Sequence, residues 1–358
     1  RLGSGGNLAN LAGTLIEPGR KTLADLLQGA GYFTGLVGKW HQGIDWKLHD
    51  ESARDVIRVH PNYQNFGNID FASPILKGPK DYGFDYSFGT AGSAEMNPAT
   101  FIENNQVTVI PTLSSLEARE KNGEWYGRDD NIVADGYTMN GLVPTLSNKA
   151  CEFVETATRT RPDQPFFLYF ATGASHAPHH VAKEWADKYK GKFDAGYEQY
   201  AKDAIERMKQ MGIVPENTVL APMSSMADAT SSDGTPWPES DKVEPWDGLS
   251  DDAKRVFARM AEVFAGFVSY TDHELGRLLD FLEDLGELDN TIFVVTSDNG
   301  ASGEGSPVGS VNENLFFNGI PDSIEDNVAM IDEIGSTSTY NHYPTGWAQA
   351  FSAPFKMF

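Results

Sequence analysis

The sequence predicts an α/β protein with a central, mostly parallel sheet flanked by helices. Three segments of the 358-residue chain, at 20–43, 147–171 and 251–296, each combine a helix pattern with a following apolar strand. Continuous apolar strands are typical of parallel sheets that are buried on both faces. The alternation of helix and strand therefore favours helices packed over such a sheet.

The first segment contains a short helix and a short strand. Thr22 is a candidate N-cap, and Leu23, Leu26 and Leu27 follow it at helical spacing. The glycines of "QGAGY" predict the end of this helix. The run "FTGLVG" that follows is predicted to be a buried strand.

The second and third segments repeat the pattern at greater length. A helix pattern in "LSNKACEFVETATRT", residues 146–160, leads through the connector "RPDQP" to the apolar strand "FFLYFA". From Asp251 to Leu285, apolar residues recur at intervals of three and four, which predicts one long amphipathic helix. The β-branched run "TIFVVT" follows directly and is predicted to be the third strand.

We expect one α/β domain over residues 1–358, interrupted by long irregular excursions at 91–146, 213–250 and 301–346. Excursions of that length are usually either functional or disordered. The sequence shows neither an internal repeat nor a low-complexity tract that would indicate a different architecture.

The charge balance restricts the classes of partner. The chain has 51 acidic and 28 basic residues and a formal net charge of −23, which argues against nucleic-acid binding because phosphate backbones require basic surface. No apolar run approaches the ~20 residues of a membrane span. A small anionic substrate fits only if a local cationic pocket binds it. Oligomeric state stays open, as does a periplasmic, secreted or cytoplasmic location.

Polar side chains follow each predicted strand. Lys39 and His41 come after "GLVG", His176 follows "FFLYFA", and Asp298 and Asn299 follow "TIFVVT". Ligands of open α/β sheets bind outside the carboxyl ends of the strands. We therefore expect these five side chains to meet in one crevice.

The residue types suggest an anion site with a metal ion. If the chain stays extended past Val37, Lys39 and His41 project from one face and Trp40 packs on the other. Asp298 and Asn299 offer hard oxygen ligands suited to Ca²⁺ or Mg²⁺. Each cluster also has a structural alternative: a solvated lysine, a loop histidine bonded to the backbone, or an Asx-turn at "SDNG".

Four ordered blocks of the sequence together resemble the sulfatase family. They are "KTLADLLQGAGYFTGLVGKWHQG", "GFDYSFG", "PFFLYFATGASHAPH" and "GELDNTIFVVTSDNGA". The segment "STSTYNHYPTGWAQAFSAPFKMF" is similar to one of the bacterial arylsulfatase subgroup. The resemblance implies an alkaline-phosphatase-like sandwich and hydrolysis of a sulfate ester of a small anionic substrate.

The resemblance also implies roles for individual residues. Lys39 and His41 match the family's lysine and histidine that bind the sulfate and assist the nucleophile and leaving group. His176 matches a histidine that contacts the sulfate and the leaving group. Asp298 and Asn299 match two ligands of the family's calcium ion, for which Mg²⁺ is the less favoured alternative.

Part of the family pattern is missing. The family's nucleophile is a formylglycine made from the Cys or Ser of a C/S-x-P-x-R motif, and this sequence has no such motif. Cys151, followed by Glu152 and Phe153, does not qualify. We expect the nucleophile upstream of residue 1 and a further lysine beyond Phe358. On this interpretation the chain is a fragment without either end of its active site, and it has little or no turnover on its own.

Two other functions remain open at this point. A phosphonate monoester or phosphodiester hydrolase of the same superfamily would use the same cations on a similar tetrahedral oxyanion. A non-catalytic binding homologue would keep the fold without the nucleophile.

Overall fold

A computed structural model of the chain describes residues 13–54, 66–113, 132–223, 243–297, 299–317 and 320–355. The strands are β1 (Phe33–Lys39), β2 (Tyr86–Thr90), β3 (Ile102–Glu103), β4 (Gln106–Val107), β5 (Thr112–Leu113), β6 (Ile132–Val133) and β7 (Phe166–Ala171). The α-helices are α1 (Leu23–Gly29), α2 (Met139–Thr160), α3 (Lys183–Ala186), α4 (Tyr197–Gln210), α5 (Asp251–Asp284), α6 (Asn314–Phe317), α7 (Ile324–Ala329) and α8 (Thr345–Phe351). The predicted α/β class is confirmed.

The main sheet has five strands in the order β4-β3-β2-β1-β7. β1 pairs in parallel with both β2 and β7, and β3 and β4 add antiparallel strands beyond β2. A separate two-stranded ladder joins β5 to β6. The centre of the sheet is thus parallel, and its carboxyl edge lies at the residues that follow β1, β2 and β7.

The chain divides into two compact units. Of the described residues, those up to 173 and those at 271–291 belong to the first unit, and those at 174–270 and from 292 onwards belong to the second. The boundaries fall inside α5 and directly after β7. The expectation of a single incomplete domain stays a prediction.

In the first unit, β1 is buried on both faces, as its apolar sequence predicts. Leu36 belongs to a core cluster with Trp40, Ile44 and Trp46, whereas Val37 belongs to a second cluster formed with α2 and the end of α5. Successive side chains of a strand point to opposite faces, so neighbouring residues reach different cores. This double burial fixes the position of the residues that follow the strand.

The first helix begins where predicted but faces differently. The Thr22 hydroxyl accepts from the Asp25 backbone N–H, and the Asp25 carboxylate accepts from that of Thr22 in return, which forms a capping box. Leu23 and Leu26 are 62% and 61% exposed, and the buried residue of α1 is Ala24. A Cβ at Gly83 would lie 2.2 Å from the Asp25 nitrogen. The helix backbone therefore packs directly against Gly83, and Ala24 rather than the leucines is the residue of α1 that is buried.

The other two helix predictions differ mainly in their boundaries. α2 begins at Met139, seven residues before the predicted start, and contains Pro144. α5 ends at Asp284, one residue before the predicted end. None of the described helices is long and apolar enough to cross a membrane.

The prediction of a third strand at "TIFVVT" is wrong for the described chain. Residues 291–297 form no strand, and Ile292 and Val294 are 90% and 78% exposed. β-propensity measures how well side chains pack on a pleated, half-buried surface rather than a backbone preference. No described strand pairs with this run, so its apolar sequence alone does not make it a strand.

Candidate functional site

In the first unit, Lys39 is the last residue of β1 and lies beside Thr90, the last residue of β2. Pairing continues one step beyond the strands, since the Trp40 and His41 backbone N–H groups donate to the carbonyls of Thr90 and Ala91 at 3.1 and 2.9 Å. The ends of these two parallel strands are thereby held together. This is the carboxyl edge at which the sequence predicted a site.

Two glycines bring the three parallel strands unusually close just before Lys39. A Cβ at Gly38, whose φ is +123°, would lie 1.7 Å from the Ala171 carbonyl oxygen of β7. A Cβ at Gly89 of β2 would lie 1.7 Å from the carbonyl oxygen of Gly38. No other residue type fits at these positions without moving backbone. The glycines therefore set the spacing of the edge from which Lys39 projects.

Trp40 anchors this edge in the core, as predicted. Its indole N–H donates to the Gly43 carbonyl at 2.8 Å, and its ring stacks on Tyr82 at a centroid distance of 5.8 Å. The chain does not stay extended beyond it, because His41 has a φ of +48°. The expectation that Lys39 and His41 share a face by strand alternation therefore does not apply to His41, which lies at the turn that follows the strand.

The Lys39 side chain has a defined position. It is half-buried, and its Nζ donates to the Ser93 hydroxyl at 2.7 Å. Ser93 lies in the turn after β2 and is 2% exposed. Lys39 and His41, which the sequence predicted to act together, thus emerge from the same strand end.

In the second unit, His176 lies in the segment that follows β7 and is exposed. Its Nδ1 lies 2.6 Å from the Ala177 carbonyl oxygen. A carbonyl only accepts, so Nδ1 carries the proton, and Nε2 of the neutral ring is an acceptor. His176 is thus a loop histidine that is bonded to the backbone through Nδ1, as the structural alternative predicted. This bond leaves Nε2 able to accept a proton or a hydrogen bond.

Three further histidines stabilise the same unit: the sequence left open whether His179 and His180 belong to the site or are exposed, and it gave His342 no role. The His180 Nε2–H donates to the Thr339 carbonyl at 2.6 Å, and the His342 Nδ1–H donates to the Tyr343 carbonyl at 2.9 Å. The His179 ring stacks on Tyr343 at 5.1 Å and lies 5.0 Å from the His342 ring. These contacts tie the His176 segment to residues 339–343.

Burial controls the ionisation of these three rings. It lowers the pKa values of His180 and His342 to about 4, and it lowers that of His179 well below the usual 6.5. Desolvation disfavours the charged imidazolium, and the neighbouring rings reinforce the effect on His179. All three are therefore neutral at pH 7.

The predicted metal ligands are only partly visible. Asp298 lies outside the described residues, and Asn299 is exposed, with its Nδ2 donating to the Gly300 carbonyl at 2.8 Å. That bond leaves Asn299 Oδ1 as an oxygen of the type that calcium prefers. Among the described residues, no group of three or more His, Cys, Asp or Glu side chains could hold a metal ion. The visible part of this segment is compatible with calcium but does not form a complete site.

The segment after the two predicted metal ligands contacts the C-terminal part of the chain. The Ala301 backbone N–H donates to the Ser352 hydroxyl at 3.1 Å, and a Cβ at Gly300 would lie 3.1 Å from the same oxygen. Ser352 immediately follows α8, within the "WAQAFSA" block. Two blocks of the sequence thus meet within the second unit.

The structure therefore brings together Lys39 and His41 in one unit and places His176 and Asn299 in the other. The meeting of all the clusters in one crevice stays a prediction. Cys151 is half-buried, and burial raises the pKa of its thiol, which disfavours the thiolate that a nucleophile requires.

Comparison with known proteins gives one family. The profile of the Sulfatase family matches residues 3–326 of this chain. A sulfatase of Schizosaccharomyces pombe is 29% identical over 338 residues, which are 94% of this chain and 50% of that protein. An arylsulfatase of Klebsiella aerogenes is 24% identical and covers 93% of this chain and 57% of its own length. The chain thus spans about half the length of these curated relatives.

Two solved structures share parts of the fold at low similarity. One, from work on metabolism of multiple glycosaminoglycans by Bacteroides thetaiotaomicron, has a TM-score of 0.43 and 18% identity and covers 80% of this chain and 46% of its own. Another was solved in complex with its substrate D-glucosamine-2-N,6-O-disulfate. It has a TM-score of 0.36 and 18% identity, and the match covers 79% of this chain and 50% of that structure's chain.

Proposed function

This chain belongs to the sulfatase family, and from that premise we propose that it takes part in the hydrolysis of a sulfate ester of the arylsulfatase type. Lys39, His41 and His176 bind the sulfate group and assist its transfer in this proposal. Its substrate is a small organic anion.

The observation that carries the proposal is the Lys39 ammonium at the carboxyl end of β1, held at 2.7 Å by the Ser93 hydroxyl. Cleavage of a sulfate ester builds negative charge on the leaving oxygen. A cation that is already in place stabilises that charge more in the transition state than in the substrate, because no reorganisation is needed. A lysine fixed at the end of a buried strand meets this requirement.

His176 is suited to the proton transfer that accompanies cleavage. Its Nδ1–H is engaged by the Ala177 carbonyl, which orients the ring. A proton taken up at Nε2 can then be delivered to the leaving-group oxygen, which is general acid catalysis. The exposed position of His176 gives a substrate access to Nε2.

The proposal includes two components that the described residues do not contain. The nucleophile is a formylglycine hydrate in a segment upstream of residue 1. Asp298 and Asn299 would hold part of a calcium ion, which would supply further positive charge near the sulfate group.

The first test removes each of the two proposed site side chains from the full-length protein. Lys39→Ala and His176→Ala should each lower kcat/KM for an aryl sulfate by on the order of 10²-fold, the effect of losing one charge-stabilising group. Lys80→Ala and His273→Gln change exposed residues of the same types and should leave kcat/KM unchanged. Near-normal kinetics in both site variants would reject the assignment.

The same assay separates the competing functions. Parallel turnover of an aryl sulfate and an aryl phosphonate shows which ester is preferred, and a strong preference for the phosphonate contradicts the proposal. Absence of turnover of both esters by the full-length protein supports a binding homologue instead. The 358-residue chain alone is expected to show little or no turnover.

A further inference from the structure

The turn after β2 contains a buried hydroxyl that holds the predicted sulfate-binding lysine. The Lys39 Nζ donates to Ser93 Oγ at 2.7 Å. We propose that Ser93 is a positioning residue for Lys39, fixing the direction in which the ammonium meets an anionic substrate. This inference rests on the proposed function, because it matters for turnover only if Lys39 binds the sulfate group.

Ser93 can act in this way because its own turn is fixed. The Thr90 hydroxyl donates to the Gly92 carbonyl at 2.7 Å, and the Met96 backbone N–H donates to the Ser93 carbonyl at 3.1 Å. The Tyr137 hydroxyl donates to the Ala94 carbonyl at 2.8 Å from the other side of the turn. The backbone on both sides of Ser93 is therefore constrained within the first unit.

The need for such a residue follows from the chemistry of lysine. A lysine side chain has four flexible carbons and carries about 2 kcal/mol of rotamer entropy. Fixing the amine before substrate arrives removes this entropy from the catalytic step. The 2% exposure of Ser93 means that water cannot readily replace the lost hydroxyl at the same point.

The choice of a hydroxyl is also informative. A serine oxygen is a neutral acceptor, so its hydrogen bond adds no negative charge to offset the ammonium. An aspartate or glutamate at the same place would hold Lys39 equally well but would cancel its charge toward an anion.

The test compares three variants of the full-length protein. Ser93→Ala removes the hydroxyl, Ser93→Thr keeps it, and Ser87→Ala is the control, since Ser87 of β2 is equally buried at 2% and its Oγ–H donates to Asn104. We expect Ser93→Ala to lower kcat/KM for an aryl sulfate about 10-fold and to weaken inhibition by inorganic sulfate. Ser93→Thr should recover most of the activity. Equal activity of Ser93→Ala and Ser87→Ala, at matched melting temperatures, would overturn the inference.

A second measurement does not depend on turnover. Acylation of Lys39 by a limiting amine reagent, followed by mass spectrometry, reports how firmly the amine is held. We expect Lys39 to react several-fold faster in Ser93→Ala than in the unsubstituted chain or in Ser87→Ala, because its hydrogen bond is lost. Unchanged reactivity would contradict the positioning role.

The two proposals fail in different ways. If Lys39→Ala leaves kcat/KM unchanged, the proposed function is wrong at this site, whatever Ser93 does. If Lys39→Ala abolishes activity while Ser93→Ala changes neither kcat/KM nor the reactivity of Lys39, the function stands and the positioning role is wrong.

Discussion

At the scale of single residues, the buried histidines make the fold sensitive to acid. The folded-state pKa values of His180 and His342, about 4, lie below the ordinary value of 6.5 that applies to an unfolded chain. Below pH 6.5 the unfolded state therefore binds more protons than the folded state. The two neutral histidines make their full contribution to the free energy of unfolding above pH 6.5. This contribution is lost as the pH falls towards 4, by roughly 1.4 kcal/mol for each unit of pKa shift.

The double variant His180→Gln and His342→Asn tests this sensitivity. Each new amide can donate the hydrogen bond that the imidazole made but cannot take up a proton in this range. We expect a shallower decline of the unfolding free energy between pH 6.5 and 4.5, measured by urea denaturation. His273→Gln, at an exposed histidine of α5, is the control. Parallel pH curves for the double variant and the unsubstituted protein would contradict the explanation.

The sequence indicates residues in motifs more clearly than the buried residues that hold them in place. The position of Lys39 and His41 at a strand end was predictable because they follow an apolar run, whereas their role in a site stays a prediction. Ser93 and His342 were not, because a serine in "TAGSAEM" or a histidine in "YNHYP" carries no periodic signal. Their roles come from contacts between distant parts of a unit, which local pattern does not encode.

At the scale of elements, glycines show where the backbones come together. Gly266 of α5 lies against α3, and a Cβ there would be 2.7 Å from the Ala186 Cα. At Gly276, ten residues later in the same helix, a Cβ would have no neighbouring described atom within 4 Å. One helix thus contains both a packing glycine and an unconstrained one.

Substituting each glycine by alanine should change stability in opposite directions. Gly266→Ala forces backbone apart and should destabilise the fold by about 1–3 kcal/mol, as overpacking does. Gly276→Ala restricts the unfolded chain and improves helix propensity, so it should stabilise by about 0.5–1 kcal/mol. Melting temperatures of the two variants give the comparison, and shifts in the same direction would show that α5 packs differently.

The success of the sequence prediction varied by element for physical reasons. β1, β7 and α5 were predicted correctly because their patterns are strong and tertiary packing agrees with them. The start of α2 was placed too late because Pro144 usually marks a helix boundary, yet here it lies inside the helix. "TIFVVT" has the composition of a strand, but strand formation depends on a neighbour that composition does not provide.

At the scale of the whole molecule, the excess of negative charge bears on the proposed calcium ion. With a net charge of −23, the protein attracts divalent cations over its surface, so weak binding alone is not evidence for a site. A specific site binds the folded state more tightly than the unfolded state and raises the melting temperature. The rise in melting temperature on adding calcium is therefore more informative than the amount of calcium bound.

Asp298→Ala should reduce the stabilisation by calcium. We expect millimolar CaCl₂ to raise the melting temperature of the full-length protein by several degrees, and Asp298→Ala to lose most of that gain, since the site forfeits a charged ligand. Asp280→Ala removes an exposed carboxylate of α5 and should keep the gain. Equal responses of the two variants would exclude Asp298 as a ligand.

The exposed apolar run at 292–295 also has a consequence for handling the chain in solution. With its flanking threonines it forms a six-residue stretch, 291–296, without charge, proline or glycine, and exposed stretches of this kind are prone to stack into intermolecular cross-β ribbons. The acidic surface opposes that stacking by mutual repulsion. Salt and low pH weaken this repulsion, so concentrated preparations of the 358-residue chain should stay colloidally stable only in dilute buffers of neutral or higher pH.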